Sequence, residues 1–342
     1  MQPDSRLALA GIISIILAFA LIIAALLLPG AIRRAPPGHP QGVAHSHGSS
    51  GDPVHSSSSS DAGAMSTGQR NRLIRLHNLQ NSNWAWHTSL SDHRLVVFYG
   101  NPLSAVMGPI GRYSDSDLIA RLREQGQVYA DLDPAHPVAL ALDYVTPIVQ
   151  PVAMDDGTWT YHMPQASIEH YIALANANHA LFFFDMQVGH STVQREVERV
   201  WPYLERPGVD LTLDPEFDMP PGAIPDQVFG HMSAAEINWA IDKLSNLVLS
   251  EHLPPKILII HQFREEMLPD WQKIKVKPGV QVITCVDGFG PPNTKIDDYR
   301  MFDKEQLIQY PGMKLFYDLD KPLMSPQDVL ALDPPPMMVM YQ

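Results

Sequence analysis

The chain has 342 residues, 45% of them hydrophobic, which is enough for one large domain or two average ones. Its formal net charge is −13 and it carries no Lys/Arg block, which argues against a nucleic-acid surface built on a basic stripe. The single cysteine, Cys285, excludes an intramolecular disulfide and CxxC-type zinc sites, and reads as a small buried residue.

Residues 7–28 form an apolar or small-residue run of 22 positions, long enough to cross a bilayer as a helix. The run is longer than the core of a typical signal peptide, and no small-x-small cleavage site precedes Arg33. Residues 1–30 therefore read as an uncleaved membrane anchor, with the rest of the chain expected outside the cytoplasm. Residues 31–67 are rich in Pro, Gly, Ser and His and read as a flexible tether. Its histidines, His39, His45, His47 and His55, read as solvated linker residues.

The folded domain is expected over 68–342. A lead-in helix is predicted at 67–79, after which strand and helix signals alternate. The predicted strands are 95–99, 138–145, 180–187, 209–213, 256–262, 280–286, 313–317 and 337–341. Most are continuous runs of Val, Leu, Ile, Phe and Met, as parallel strands covered on both faces require. Helices are predicted at 116–132, 165–176 and 192–204, and from the capping box Ser233-Ala234-Ala235-Glu236 to about 253. Shorter ones are predicted at 304–308 and 325–331. Eight strands alternating with helices make an α/β chain of the (β/α)8, TIM-like barrel type. A doubly wound open sheet is the competitor, weakened by the lack of a Gly-rich loop after the first strand.

Such barrels work at the C-terminal ends of their strands, and polar residues gather there. Tyr99 and Asn101 follow the first strand, and Asp143 and Tyr144 lie on the second. Asp185 and Gln187 end the third, Asp214 and Glu216 the fourth, His261 and Gln262 the fifth. Asp287 ends the sixth, Tyr317 and Asp318 the seventh, Tyr341 and Gln342 the eighth. At period two, Asp210, Thr212, Asp214 and Glu216 share one face, and Pro215 stops the ladder. Periodicity leaves open whether His261 or Gln262 points inward.

Two carboxylates flanking a substrate can run glycoside hydrolysis, one protonated as acid and the other acting as base or nucleophile. Glu216 is the expected acid, with Asp214 raising its pKa by like charge. Asp287 or Asp318 is the second-carboxylate candidate and His261 a positioning one. Tyr99, Asp143, Asp185, Gln187, Gln262, Tyr317 and Tyr341 are expected to bind substrate. The same acids, Asp185, Asp214, Glu216 and Asp287, together with His261, allow a second chemistry: a divalent metal for phosphoester hydrolysis. Within 68–342 no HxH, HExxH, GxSxG or P-loop motif is present. A resident cofactor is not expected, a metal entering only under that second reading. A third reading is a barrel that binds a glycan or wall ligand without catalysis. The expected partners are the membrane, through the N-terminal helix, and a glycan or cell-envelope ligand, with no nucleic acid.

The segments Phe184-Asp185-Met186-Gln187-Val188-Gly189-His190-Ser191, Leu213-Asp214-Pro215-Glu216-Phe217, Ile260-His261-Gln262-Phe263, Val286-Asp287-Gly288-Phe289-Gly290-Pro291-Pro292 and Lys314-Leu315-Phe316-Tyr317 carry a resemblance. Over about 91–342 the chain resembles a family of exported bacterial barrel proteins of unassigned function, often lipoproteins. The likeness implies a barrel fold and an extracytoplasmic place, and assigns no catalytic residue. This chain lacks the lipid-carrying cysteine after its apolar run. Asp214-Pro215-Glu216 also resembles, more distantly, the Asp-x-Glu that ends the fourth strand of chitinase-type glycosidases, whose Glu is the acid. The earlier aspartate of that motif is Thr212 here, and Pro215 stands where an aromatic is usual.

Overall fold

The computed structural model describes residues 89–342, apart from residue 226. The predicted anchor, tether and lead-in helix lie outside the described residues. Among the described residues, no helix is long and apolar enough to cross a membrane.

Eight parallel strands close into a barrel: β1 Arg94–Gly100, β2 Val138–Val145, β3 Ala180–Met186, β4 Val209–Leu213, β5 Lys256–Gln262, β6 Val280–Val286, β7 Tyr310–Leu315 and β8 Met338–Tyr341. Each strand pairs with its neighbours in sequence, and β8 closes on β1 through pairs such as Val97↔Met340. The α/β barrel read from the alternating pattern is thus the fold, and the open sheet is excluded.

The helices form where an apolar stripe meets a cap. In α1, Asp115–Leu132, Ser114 accepts from the Asp117 amide, and Leu118, Leu122 and Tyr129 face the barrel. α2, Gln165–Ala177, buries Ile168, Tyr171, Ile172 and Ala175 at helical spacing. α3 spans Val193–Leu204, and α4 spans Ala234–Glu251 behind the Ser233/Glu236 capping box.

Two connections differ from the sequence expectation. Residues 304–308 do not form a separate helix. Instead α5, Pro292–Tyr299, runs on into a π-helical turn over Arg300–Glu305. Its buried face is Lys295, Tyr299, Phe302 and Asp303, a helical stripe half made of charged residues, which hides it from a hydrophobic pattern. The β2–α2 loop carries a two-stranded hairpin, Ile148–Val149 with Thr160–Tyr161, too short to show any alternation. Between β5 and β6 there are only two 3-10 turns, so the helical ring is thinned at that point. The last helix, α6, is Pro326–Leu330 behind Ser325.

Interior packing follows from parity. Paired residues of parallel strands share a face, so Val97, Ala141, Phe183, Ile259 and Ile283 line the barrel below the polar ends. Gly312 is fixed by this packing: a Cβ there would sit 2.8 Å from Ile283 and from Met338. At the N-terminal base Leu90 is fully buried, and its amide donates to Gln281 Oε1 at 2.7 Å.

Candidate functional site

Strands that are not neighbours can exchange side-chain contacts only across the barrel interior. Thr212 of β4 donates its hydroxyl to Asp143 of β2, at 3.2 and 3.1 Å to the two carboxylate oxygens. His261 of β5 places Nε2 3.3 Å from Asp185 Oδ2 of β3, and its ring lies edge-on to Tyr99 of β1 at 6.2 Å. Lys314 of β7 sets its ammonium 3.6 Å from the centre of the Tyr99 ring. The parity of Tyr99, Asp143, Asp185, Thr212 and Lys314 is therefore the inner one, and the parity question on β5 is settled in favour of His261.

The acids meet in two layers. Asp143, Asp185 and His261 converge with donor atoms within 4.8 Å of one another, and all three are 0% exposed. Asp214, Glu216 and Asp287 converge by the same measure nearer the mouth. Asp214 and Asp287 are buried there, while Glu216 is partly exposed. Glu216 sits on a single 3-10 turn, Pro215–Phe217, because Pro215 cannot extend the β4 ladder and its fixed φ opens the turn. Phe217 anchors that turn by burial.

Burial without partners is the electrical signature of the site. Both oxygens of Asp185, both ring nitrogens of His261, and Oδ1 of Asp214 and of Asp287 lack a hydrogen-bond partner. His261 Nδ1 lies 3.3 Å from Asp287 Oδ2, a charge contact rather than an aligned hydrogen bond. Burial pushes the Asp214 carboxyl well above the usual carboxylate range; the charges of Glu216, Asp185 and Asp287 add to it, and Lys314 opposes. Asp143 is raised in the same way by burial and by Asp185, against Lys314 and the Thr212 hydrogen bond. Lys314 is desolvated, which favours the neutral amine. Asp287, Asp185 and Asp214 outweigh that and lift its pKa above the usual lysine value. Cys285 shares this inner face, and burial followed by Asp287 raises its thiol well up, so it is no ready nucleophile.

Several sequence-predicted residues lie elsewhere. Tyr341 points outward, its hydroxyl 2.8 Å from that of Tyr129 on α1, and Tyr317 stacks on it at 5.2 Å. Neither faces the acids. Gln262 has the outer parity and donates to the Arg264 carbonyl at 3.4 Å. Gln187 accepts from the Val149 amide at 3.0 Å and so braces the hairpin. Tyr144 also faces the helices, bonded to Ser167 at 2.8 Å. Asp318 is exposed on the surface, paired with Arg112, and is not a second carboxylate of this site.

Sequence reasoning did not single out Lys314. The predicted strand at 313–317 places it second, where a charged residue reads as a strand start. The observed strand begins at Tyr310, so Lys314 is an interior residue, 3% exposed. A lysine inside an apolar run, two residues from Gly312 and from Phe316, is the available signal, since buried lysines are nearly always paired.

No family model matches the chain, and no curated protein matches it. Among solved structures the chain is similar to a spore coat polysaccharide biosynthesis protein, SpsE, from Bacillus subtilis, at 10% identity and a TM-score of 0.38. The match covers 73% of this chain and 59% of that one, so the chain spans about three fifths of that protein's length. The closed eight-stranded topology, rather than this distant likeness, establishes the fold.

Proposed function

We propose that the protein is a hydrolase of a glycan or cell-envelope polysaccharide, working at the C-terminal mouth of the barrel. The observation that supports this most is the convergence of Asp214, Glu216 and Asp287, of which Glu216 alone is partly exposed. Glu216 is the residue placed to meet a glycosidic oxygen, and acts as general acid. Asp214 lies beside it, its carboxyl raised well above the usual range by burial and by the Glu216 charge, and is the neighbour that disfavours a second ionised acid there. Asp287, with the Lys314 ammonium 4.0 Å away, is the opposing carboxylate. One oxygen of each acid lies within 4.8 Å of one oxygen of the others, a closeness that goes with the roughly 5–5.5 Å carboxyl spacing of a retaining pair rather than the roughly 6.5–9.5 Å of an inverting one. Tyr99 remains in the site as the ring under Lys314, and His261 as the residue between Asp185 and Asp287.

The distant chitinase likeness at Asp214-Pro215-Glu216, the resemblance to exported barrel proteins and the apolar run at 7–28 go with this reading. Together they support a domain outside the cytoplasm at a membrane, where envelope polysaccharide would be the substrate within reach. A second reading, a divalent-metal-dependent phosphoester hydrolase, draws support from the same three carboxylates, since oxygens this close also suit a cation.

The test is reducing-end release from a panel of envelope polysaccharides by the full-length chain, beside phosphate release from phosphodiesters, each with and without chelator. Chelator-resistant polysaccharide cleavage that disappears in Glu216→Gln supports the first reading. Phosphodiester cleavage abolished by chelator and restored by a divalent ion supports the second. Retained polysaccharide binding with no turnover of either substrate leaves the non-catalytic barrel.

A further inference from the structure

The inner layer of the site raises a separate question. Asp143, Asp185 and His261 are completely buried, and their donor atoms lie within 4.8 Å of one another. A cluster of acids alone would be unremarkable. Here both carboxylate oxygens of Asp185 and both nitrogens of His261 are without hydrogen bonds at zero exposure. An uncompensated buried carboxylate is among the most costly groups a protein can carry. The nearby Lys314 ammonium, over the Tyr99 ring and 4.0 Å from Asp287 Oδ2, acts on these acids through space but donates no hydrogen bond to Asp185.

We infer that Asp143, Asp185 and His261 bind a hard divalent cation, of the magnesium, manganese or calcium class, beneath the mouth carboxylates. The geometry is that of a coordination sphere. His261 Nε2 and Asp185 Oδ2 are 3.3 Å apart. Two adjacent octahedral ligands at that separation imply metal–ligand bonds of about 2.3 Å, at the short end of the calcium range and above the roughly 2.0–2.1 Å of magnesium. Opposite ligands at such bond lengths stand about 4.2–4.8 Å apart, the outer limit of this cluster.

The surroundings complete the pattern. His261 Nδ1 lies 3.3 Å from Asp287 Oδ2, a charge contact on the far side of the ring from Asp185, so that Nε2 is the nitrogen turned toward Asp185 and the proposed ion. Carboxylate behind imidazole behind metal is how ligating histidines are commonly oriented. Thr212 fixes Asp143 through both of its oxygens. Oxygen donors with a single imidazole favour a hard ion over zinc or copper. Since the three residues are fully buried, the ion holds the barrel interior and does not touch substrate. This inference does not depend on the glycan reading, and either can fail alone.

The experiment uses the full-length chain, stripped with chelator and titrated with manganese(II). Binding is followed by calorimetry and by the loss of the free-ion electron paramagnetic resonance signal, and melting is followed in parallel. The expected result is one manganese per chain and a rise in Tm on binding. Asp185→Asn is expected to weaken binding at least 30-fold, and Thr212→Val and Asp287→Asn, which act on ligand orientation, about 10- to 100-fold. Glu216→Gln is expected to leave manganese affinity within threefold of the parent. Absence of manganese binding by the parent chain up to millimolar concentration overturns the inference, with no need for any variant to fold. So does binding that is lost in Glu216→Gln but kept in Asp185→Asn, which would place the ion among the outer carboxylates.

Discussion

The two ends of this barrel treat buried polar groups in opposite ways. At the N-terminal base the buried charged and amide side chains of the strands themselves, Arg94, Asp210, Lys256 and Gln281, each have a partner, the unpartnered atoms at that end (His93 Nδ1, Asp303 Oδ1 and Gln306 Oε1) lying off the strands. Arg94 donates to the Pro336 carbonyl at 2.9 Å and to Asp133 at 2.8 Å. Lys256 donates to the Arg206 and Val209 carbonyls, Asp210 accepts from the Ile257 amide, and Gln281 accepts from Leu90. At the C-terminal mouth Asp185, Asp214, His261 and Asp287 are as deeply buried and have unpartnered atoms. Satisfied polar groups hold a fold together; unsatisfied ones cost stability and are kept for something else. The contrast assigns structure to the base and function to the mouth.

The sharpest way to break the contrast is to exchange the expected phenotypes. Glu216→Gln should lower turnover by about 10²- to 10⁴-fold, the usual range for a general acid, with melting unchanged. Reducing-end assays and calorimetry on the same preparation read both numbers. Arg94→Met should do the reverse. Removing a fully buried guanidinium orphans the Pro336 carbonyl and costs about 3 kcal/mol in urea unfolding, while activity per folded molecule stays at the parent level. A stable but inactive Arg94→Met would erase the distinction between the two ends.

Two milder changes sharpen it. In chelator-stripped protein, Asp185→Asn should raise unfolding free energy by about 1–3 kcal/mol, because it removes a buried carboxylate that accepts no hydrogen bond and sits among other acids. The smallest effect is expected at the rim, where Asp218 lies beside Glu236. Burial and the Glu236 carboxylate raise the Asp218 pKa to about 7. The folded state therefore holds a proton that the unfolded chain releases near its ordinary value of about 4, so this site's stabilisation fades as pH climbs from 4 to 7. Asp218→Asn should flatten that part of the stability–pH curve and gain about 1–2 kcal/mol at pH 8. An unchanged slope in urea melts at pH 5, 6 and 7 would remove Asp218 as its source.

The barrel was legible because parallel buried strands are continuous apolar runs, and β2, β4, β5 and β6 begin and end at the predicted residues. The acids of the site were legible for a related reason: an apolar strand that finishes in Asp or Glu marks the open end. Parity was harder. Tyr341 and Tyr317 end strands as Asp214 and Asp287 do, yet they face α1 rather than the interior, and only the cross-barrel contacts of Thr212, His261 and Lys314 decide which face is inner. Lys314 itself was obscured by a strand whose first residues, Tyr310, Pro311 and Gly312, carry turn-like chemistry. α5 was obscured because its buried stripe includes Lys295, and Asp303 continues the stripe in the turn that follows.

The proposed chemistry is acid–base catalysis on a sugar by the carboxylates at the mouth. Proton NMR of the first sugar released from a polysaccharide that the full-length chain cleaves tests this most directly. The expected spectrum shows a product that keeps the anomeric configuration of the bond cut, and no product under the same conditions from Glu216→Gln. Inverted product, or undiminished release by Glu216→Gln, would contradict it.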